Sequence, residues 1–181
     1  MTDTTGTIIA VAPYGAPEAH ESAWLAPGSF VVGRVTIGAD SSVWYNAVLR
    51  GDSGEVHLGQ RTNVQDGVAI HAAEGHPTVI GDDVSIGHNA VVHGATVERG
   101  CLIGMSATVL NGSTVGEGSL VAAGAVVPQG MVIPPHSLVA GVPARIIREL
   151  GEADREAVRI NSEVYLGYAA DHRVATRADG D

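Results

Sequence analysis

Three histidines, His71, His88 and His93, are the residues whose type and spacing point to chemistry. Neutral imidazoles bind zinc and its transition-metal neighbours, and three on one dication leave a position open for water. The chain holds eight histidines, and a single one on an exposed strand would carry no such meaning. His20, His57, His136 and His172 share no slot in the sequence pattern, so no role is given to them. The case for the other three depends on the elements that carry them.

Those elements repeat every six residues. From Val97 the steps fall on Ile103, Val109, Val115, Val121, Val127, Ile133 and Val139, all β-branched aliphatics. Four positions beyond an aliphatic stand small residues, Ala107, Ser113, Ser119, Ala125 and Ser137. Upstream the register returns in blocks of three: Ile37, Val43 and Leu49; Leu58, Val64 and Ile70; Ile80, Ile86 and Val92. Three hexads make a triangular coil of about 18 residues, with the aliphatics pointing inward and small residues at the corners. A β-sandwich would instead alternate with period two and turn every ~8–12 residues. The sequence therefore predicts a mainly β protein, a parallel β-helix of hexapeptide repeats. It occupies residues 1–144 with a short N-terminal segment, and a C-terminal helix and tail occupy 145–181. Helix is expected from Arg145 to about Arg173, in two pieces broken at Gly151. Acids open it, where the helix dipole favours them, and Val158, Asn161, Val164, Tyr165 and Tyr168 form its packed face. Residues after Arg173 read as frayed.

The register places the histidines. His71 and His93 each follow the third aliphatic of a block, 22 residues apart, one 18-residue turn plus a four-residue insertion. They should stack on adjacent rungs, with backbones about 4.8 Å apart. Arg50 takes the same slot one rung earlier, so Arg50, His71 and His93 form a column. His88 lies near another corner, above Asp66, and cannot easily reach that column within one chain. From a neighbouring subunit packed around a threefold axis it could complete a three-His site, and Asp66 would then face the neighbour's Arg50.

Composition excludes several classes. A formal net charge of −10 leaves no electrostatic footprint for nucleic acid or an anionic membrane surface. No apolar run reaches the ~18–20 residues of a membrane span. Met1 to Ala10 lack the pattern of a signal peptide, and the single Cys101 excludes an internal disulfide framework. A cytoplasmic setting is expected, and Cys101 reads as corner packing.

The run from Ser42 through Arg50-Gly51-Asp52, the segment Thr62–Gly67 followed by His71, and Ile86-Gly87-His88 through Val92-His93-Gly94 resemble the γ-class carbonic anhydrase family. Leu102–Met105 and Ser137–Ala144 continue the match, which covers about Val31 to Leu150. The resemblance implies a left-handed parallel β-helix, and a homotrimer with zinc, or iron or cobalt, at its interfaces, ligated by His71, His88 and His93. It implies interface roles for Arg50 and Asp52, a water-orienting role for Gln65, and a place for Asp66 beside it. Tyr165 is implied as a helix residue reaching the site. The implied reaction is reversible hydration of carbon dioxide to bicarbonate, by a water whose pKa the metal lowers. Family members with an acidic loop carry a glutamate after Arg-Gly-Asp. Here Ser53 stands in that place and the loop is short, which leaves Glu74 or His76 as proton shuttle. Two other readings stay open, an acyltransferase using coenzyme A and a metal-binding scaffold without catalysis.

Overall fold

The computed structural model describes residues 6–175. The chain winds into a parallel β-solenoid of about seven turns, followed by one helix. Eight strands stack on one face, running from Trp24–Leu25 through Ser42–Val43, Asn63–Val64 and Ser85–Ile86 to Ser137–Gly141 and Ala144–Glu149. The other two faces form a 12-stranded sheet, because Phe30–Ile37 and Val48–Leu58 bend around the corner between them.

The hexad aliphatics fill the interior. Val43, Val64, Ile86, Ile103, Val121 and Val139 stack on one wall and are fully buried. Leu49, Ile70, Val92, Val109 and Val127 stack on the second. Each such side chain contributes about 1.5–3 kcal/mol of burial, so register is held at every rung. The repeat also starts earlier than the sequence pattern indicated. Leu25 pairs with Val43 and Val31 with Leu49, adding a coil before Ile37. Thr7–Ile9 then lies beside Phe30–Val32.

Two expectations about the C-terminal segment are corrected. Ala144–Glu149 is a strand antiparallel to Ser137–Gly141, where helix was expected from Arg145. The adjacent β-branched Ile146 and Ile147 favour extended backbone, and the strand covers the otherwise open edge of the eight-stranded face. A single helix, Glu152–Arg173, follows Gly151. Its buried residues are Val158, Ser162 and Ala169, while Val164 and Tyr168 are exposed. Its inner face therefore lies to one side of the predicted stripe. Trp24 and Trp44 determine this: they cluster with Ala26 and Ala169, and Tyr45 and Tyr165 pack against them. Of the tail expected to fray, 176–181 lie outside the described residues. Among the described residues, no helix is long and apolar enough to cross a membrane.

Candidate metal centre

Arg50, His71 and His93 occupy the column that the repeat arithmetic gives them. Arg50 is the Cα partner of His71, and His71 of His93, on adjacent parallel strands. The two rings lie with centroids 4.9 Å apart, and His71 Nδ1 faces His93 Nε2 at 2.9 Å.

The far nitrogen of each ring is tied to an oxygen. His71 Nε2 meets Asp52 Oδ1 at 2.9 Å, and His93 Nδ1 meets Asn111 Oδ1 at 2.5 Å. Carboxylate and amide oxygens accept, so both far nitrogens carry the proton and both facing nitrogens present lone pairs. Two lone pairs at this distance repel unless a cation or an extra proton stands between them. Imidazoles anchored through one nitrogen, with the other left bare, are the usual donor set of a transition-metal site. The residues thus fit a divalent metal.

Asp52 reaches His71 because of Gly51. A Cβ at Gly51 would lie 2.2 Å from the Arg34 carbonyl oxygen, so only glycine lets the strand pass there. Arg50 and Asp52 then fall on one side of the strand, and Arg50 Nη1 donates to Asp52 Oδ2 at 2.6 Å. The Arg50 guanidinium, helped by the bond from His71, holds the Asp52 carboxyl well below the usual carboxylate range. Asp52 therefore remains a charged acceptor for His71.

His88 sits on the other sheet, just after Ser85–Ile86. It shows the same anchoring: Nδ1 lies 2.8 Å from Asp66 Oδ2, and Nε2 lies 3.2 Å from the Tyr165 hydroxyl. With Nδ1–H given to Asp66, Nε2 is the bare nitrogen and Tyr165 donates to it. Burial, with the Asp66 charge beside it, pushes the Tyr165 phenol up, so it keeps its proton. Gln65 is buried next to His88 and accepts the His88 backbone N–H through Oε1.

Within one chain, then, the site residues that the resemblance implies stand in two separate clusters. His71, His93, Arg50 and Asp52 form one; His88, Asp66, Gln65 and Tyr165 form the other. Among the described residues no three His, Cys, Asp or Glu side chains are grouped to hold a metal ion. Asp66 pairs with His88 and Arg50 with Asp52 inside the chain. Glu74 and His76 are exposed on the turn closed by the Ala73–His76 bridge, and the His76 Cβ is one of the nearest atoms to Gly94.

Several functional neighbours had no clear signal in the sequence. Asn111 anchors His93 but reads as an ordinary corner residue. Ser85 and Asn63 hold the Gln65 amide in place. His172, given no role, meets the Tyr45 hydroxyl at 2.9 Å and stacks edge-on against Trp44. Trp44 in turn packs against Tyr165 with ring centroids 5.4 Å apart, which steadies the phenol over His88.

A Methanocaldococcus jannaschii protein named "Probable carbonic anhydrase" is 56% identical over 142 residues, spanning 78% of this chain and 89% of the relative. The chain belongs to the γ-class carbonic anhydrase family. "Gamma carbonic anhydrase 1, mitochondrial" of Arabidopsis thaliana is 43% identical over 87% of this chain, which spans 59% of that longer relative. Two hexapeptide models also match, the bacterial transferase hexapeptide (six repeats) at 94–129 and the hexapeptide repeat of succinyl-transferase at 77–105. Both fall within the coils and describe the repeat. Among solved structures, a Bacillus cereus protein provisionally described as an acetyltransferase superposes with a TM-score of 0.91 at 34% identity, covering 93% of this chain and 98% of that one.

Proposed function

We propose that the chain is a carbonic anhydrase that hydrates carbon dioxide reversibly to bicarbonate. The site forms between subunits of a homotrimer, with zinc, or iron or cobalt, held by His71 and His93 of one protomer and His88 of the next. The observation that carries this reading is the pair of bare imidazole nitrogens at 2.9 Å, with the third anchored histidine on a different face. When bound, the metal supplies a Lewis acid that lowers the pKa of a water towards about 7.

The side chains divide the remaining work. Asp52, charged and braced by Arg50, keeps the His71 proton on Nε2 and leaves Nδ1 free to ligate. Asn111 does the same for His93, and Asp66 for His88. Gln65 orients the oxygen that adds to carbon dioxide. Tyr165 retains its proton and closes the His88 side of the site against bulk water. Glu74 or His76, exposed on the turn beside the His93 strand, takes the released proton outward.

Metal analysis of anaerobically purified protein, coupled to stopped-flow hydration assays, tests the reading. Stoichiometric metal with metal-dependent hydration supports it. Zinc and iron forms that are both inactive at micromolar enzyme would leave a metal-binding scaffold instead. Tight acetyl-coenzyme A binding by metal-free protein would favour an acyltransferase.

A further inference from the structure

His88 Nε2 has a single lone pair. The Tyr165 hydroxyl, 3.2 Å away, claims it, while Nδ1 is tied to Asp66 at 2.8 Å. That lone pair is also the one a metal would take. An imidazole nitrogen cannot accept a hydrogen bond and ligate a cation at once. Whenever His88 serves as a ligand, the phenol must leave it and needs another acceptor.

An unused acceptor stands one helical turn away. Asn161 Oδ1 is buried and has no hydrogen-bond partner among the described residues. Buried carbonyl oxygens are rarely left unmatched, so this one calls for a donor. Asn161 lies four residues before Tyr165 on the helix Glu152–Arg173, the spacing that brings side chains together on a helix face.

The slant of Tyr165 points the same way. The helix begins near the last coil, where the Leu150 N–H donates to the His136 carbonyl, and ends near the first coils, where His172 meets Tyr45. Tyr45, Asp66 and His88 lie on three successive rungs: the Gly67 N–H donates to the Tyr45 carbonyl, and the Asn89 N–H to that of Asp66. The Tyr165 ring packs on Trp44, beside Tyr45, while its hydroxyl reaches His88 two rungs on. The side chain therefore slants towards the helix N-terminus, as helical side chains do. Its hydroxyl end lies on the Asn161 side.

We propose that the Tyr165 phenol is a two-position hydrogen bond set by the metal. Until a metal arrives it caps His88 Nε2; once Nε2 becomes a ligand it passes to Asn161 Oδ1. One bond is broken and another made, so opening His88 costs little. This rests on the metal-site reading above, with His88 as a ligand.

Zinc affinity, measured by chelator competition on the full chain, reads the exchange in a double-mutant cycle. With Tyr165 present, Asn161→Leu is expected to weaken zinc binding about threefold to tenfold, because the displaced phenol has no acceptor. In the Tyr165→Phe background the same substitution leaves the affinity unchanged. Asn161→Asp keeps an acceptor oxygen and binds zinc at least as tightly as wild type. Ultraviolet difference spectra during zinc titration show a phenol band that Tyr165→Phe loses. Equal weakening by Asn161→Leu in both backgrounds, or a zinc titration without the Tyr165 band, would overturn the proposal while zinc binding itself stood. A wild-type chain that binds no zinc would instead overturn the metal reading, and this inference with it.

Discussion

His71 Nδ1 and His93 Nε2 face one another at 2.9 Å while Asp52 and Asn111 hold the opposite nitrogens. In the proposed site this relation makes two stacked strand residues one half of the donor set. It also means that the rung spacing of the solenoid sets the bite of the ligand pair.

Removing one of these rings should empty the site without unwinding the coil. The strand Val91–His93 is held by pairing to Ala69–His71 on one side and Thr108–Val109 on the other, and by the buried Val92. His93→Ala is therefore expected to lose its metal and its hydration activity with an unchanged far-UV circular dichroism spectrum. Retained metal would refute the ligand assignment.

The anchor of His71 should matter almost as much as the ring. Asp52→Asn preserves shape but weakens the acceptor that holds the Nε2 proton. Outer partners of this kind typically contribute about 10–100-fold in metal affinity or activity. Chelator competition should show metal affinity reduced within that range, and a value equal to wild type would contradict the proposed role.

Much of this geometry was legible because a hexad count is local: it carries side chains from rung to rung without any knowledge of tertiary contacts. Arg50, His71 and His93 were thus placed in one column, and Asp66 beneath His88. What escaped depends on contacts the count does not contain. Asn111 and Ser85 are chemically ordinary at corners and rung starts, and only the three-dimensional stack shows what they touch. Leu25 and Val31 stand at the same six-residue step before Ile37, so the first coil too is legible in the count. The rotation of the helix is set by Trp24 and Trp44 on the solenoid wall, not by the helix's own pattern. The strand Ala144–Glu149 depends on an open sheet edge that the local sequence does not announce.

Cys101 should be chemically silent in the folded protein. Burial pushes its thiol up to about 12, and Sγ lies 3.2 Å from the Gly116 carbonyl oxygen. Only thiolate reacts with alkylating reagents at useful rates. Iodoacetamide at pH 8 should leave the native protein unmodified by mass spectrometry and label it fully in denaturant. Rapid native labelling would show that this corner opens.

The start of the helix should be acid-sensitive. Asp154 accepts from Arg148 and from the Gly151 backbone N–H, and these bonds lower its carboxyl from 3.8 to about 2. A depressed carboxylate contributes stability that is present above its unfolded value and lost as pH falls through the folded one. Asp154→Ala should therefore melt below wild type by a constant interval from neutral pH down to pH 4, and the interval should close towards pH 2. An interval that persists at pH 2 would assign the effect to something other than this charge.

The most direct test of the central claim is complementation between two defective chains. A His88→Ala chain keeps the His71/His93 half, and a His71→Ala/His93→Ala chain keeps the His88 half. Each alone should hold no metal. Co-refolded in equal amounts, they should regain metal and hydration at about a quarter of the interfaces, the statistical share of correctly ordered pairs in a cyclic trimer. Mixed oligomers that form and remain metal-free would contradict a site built between subunits.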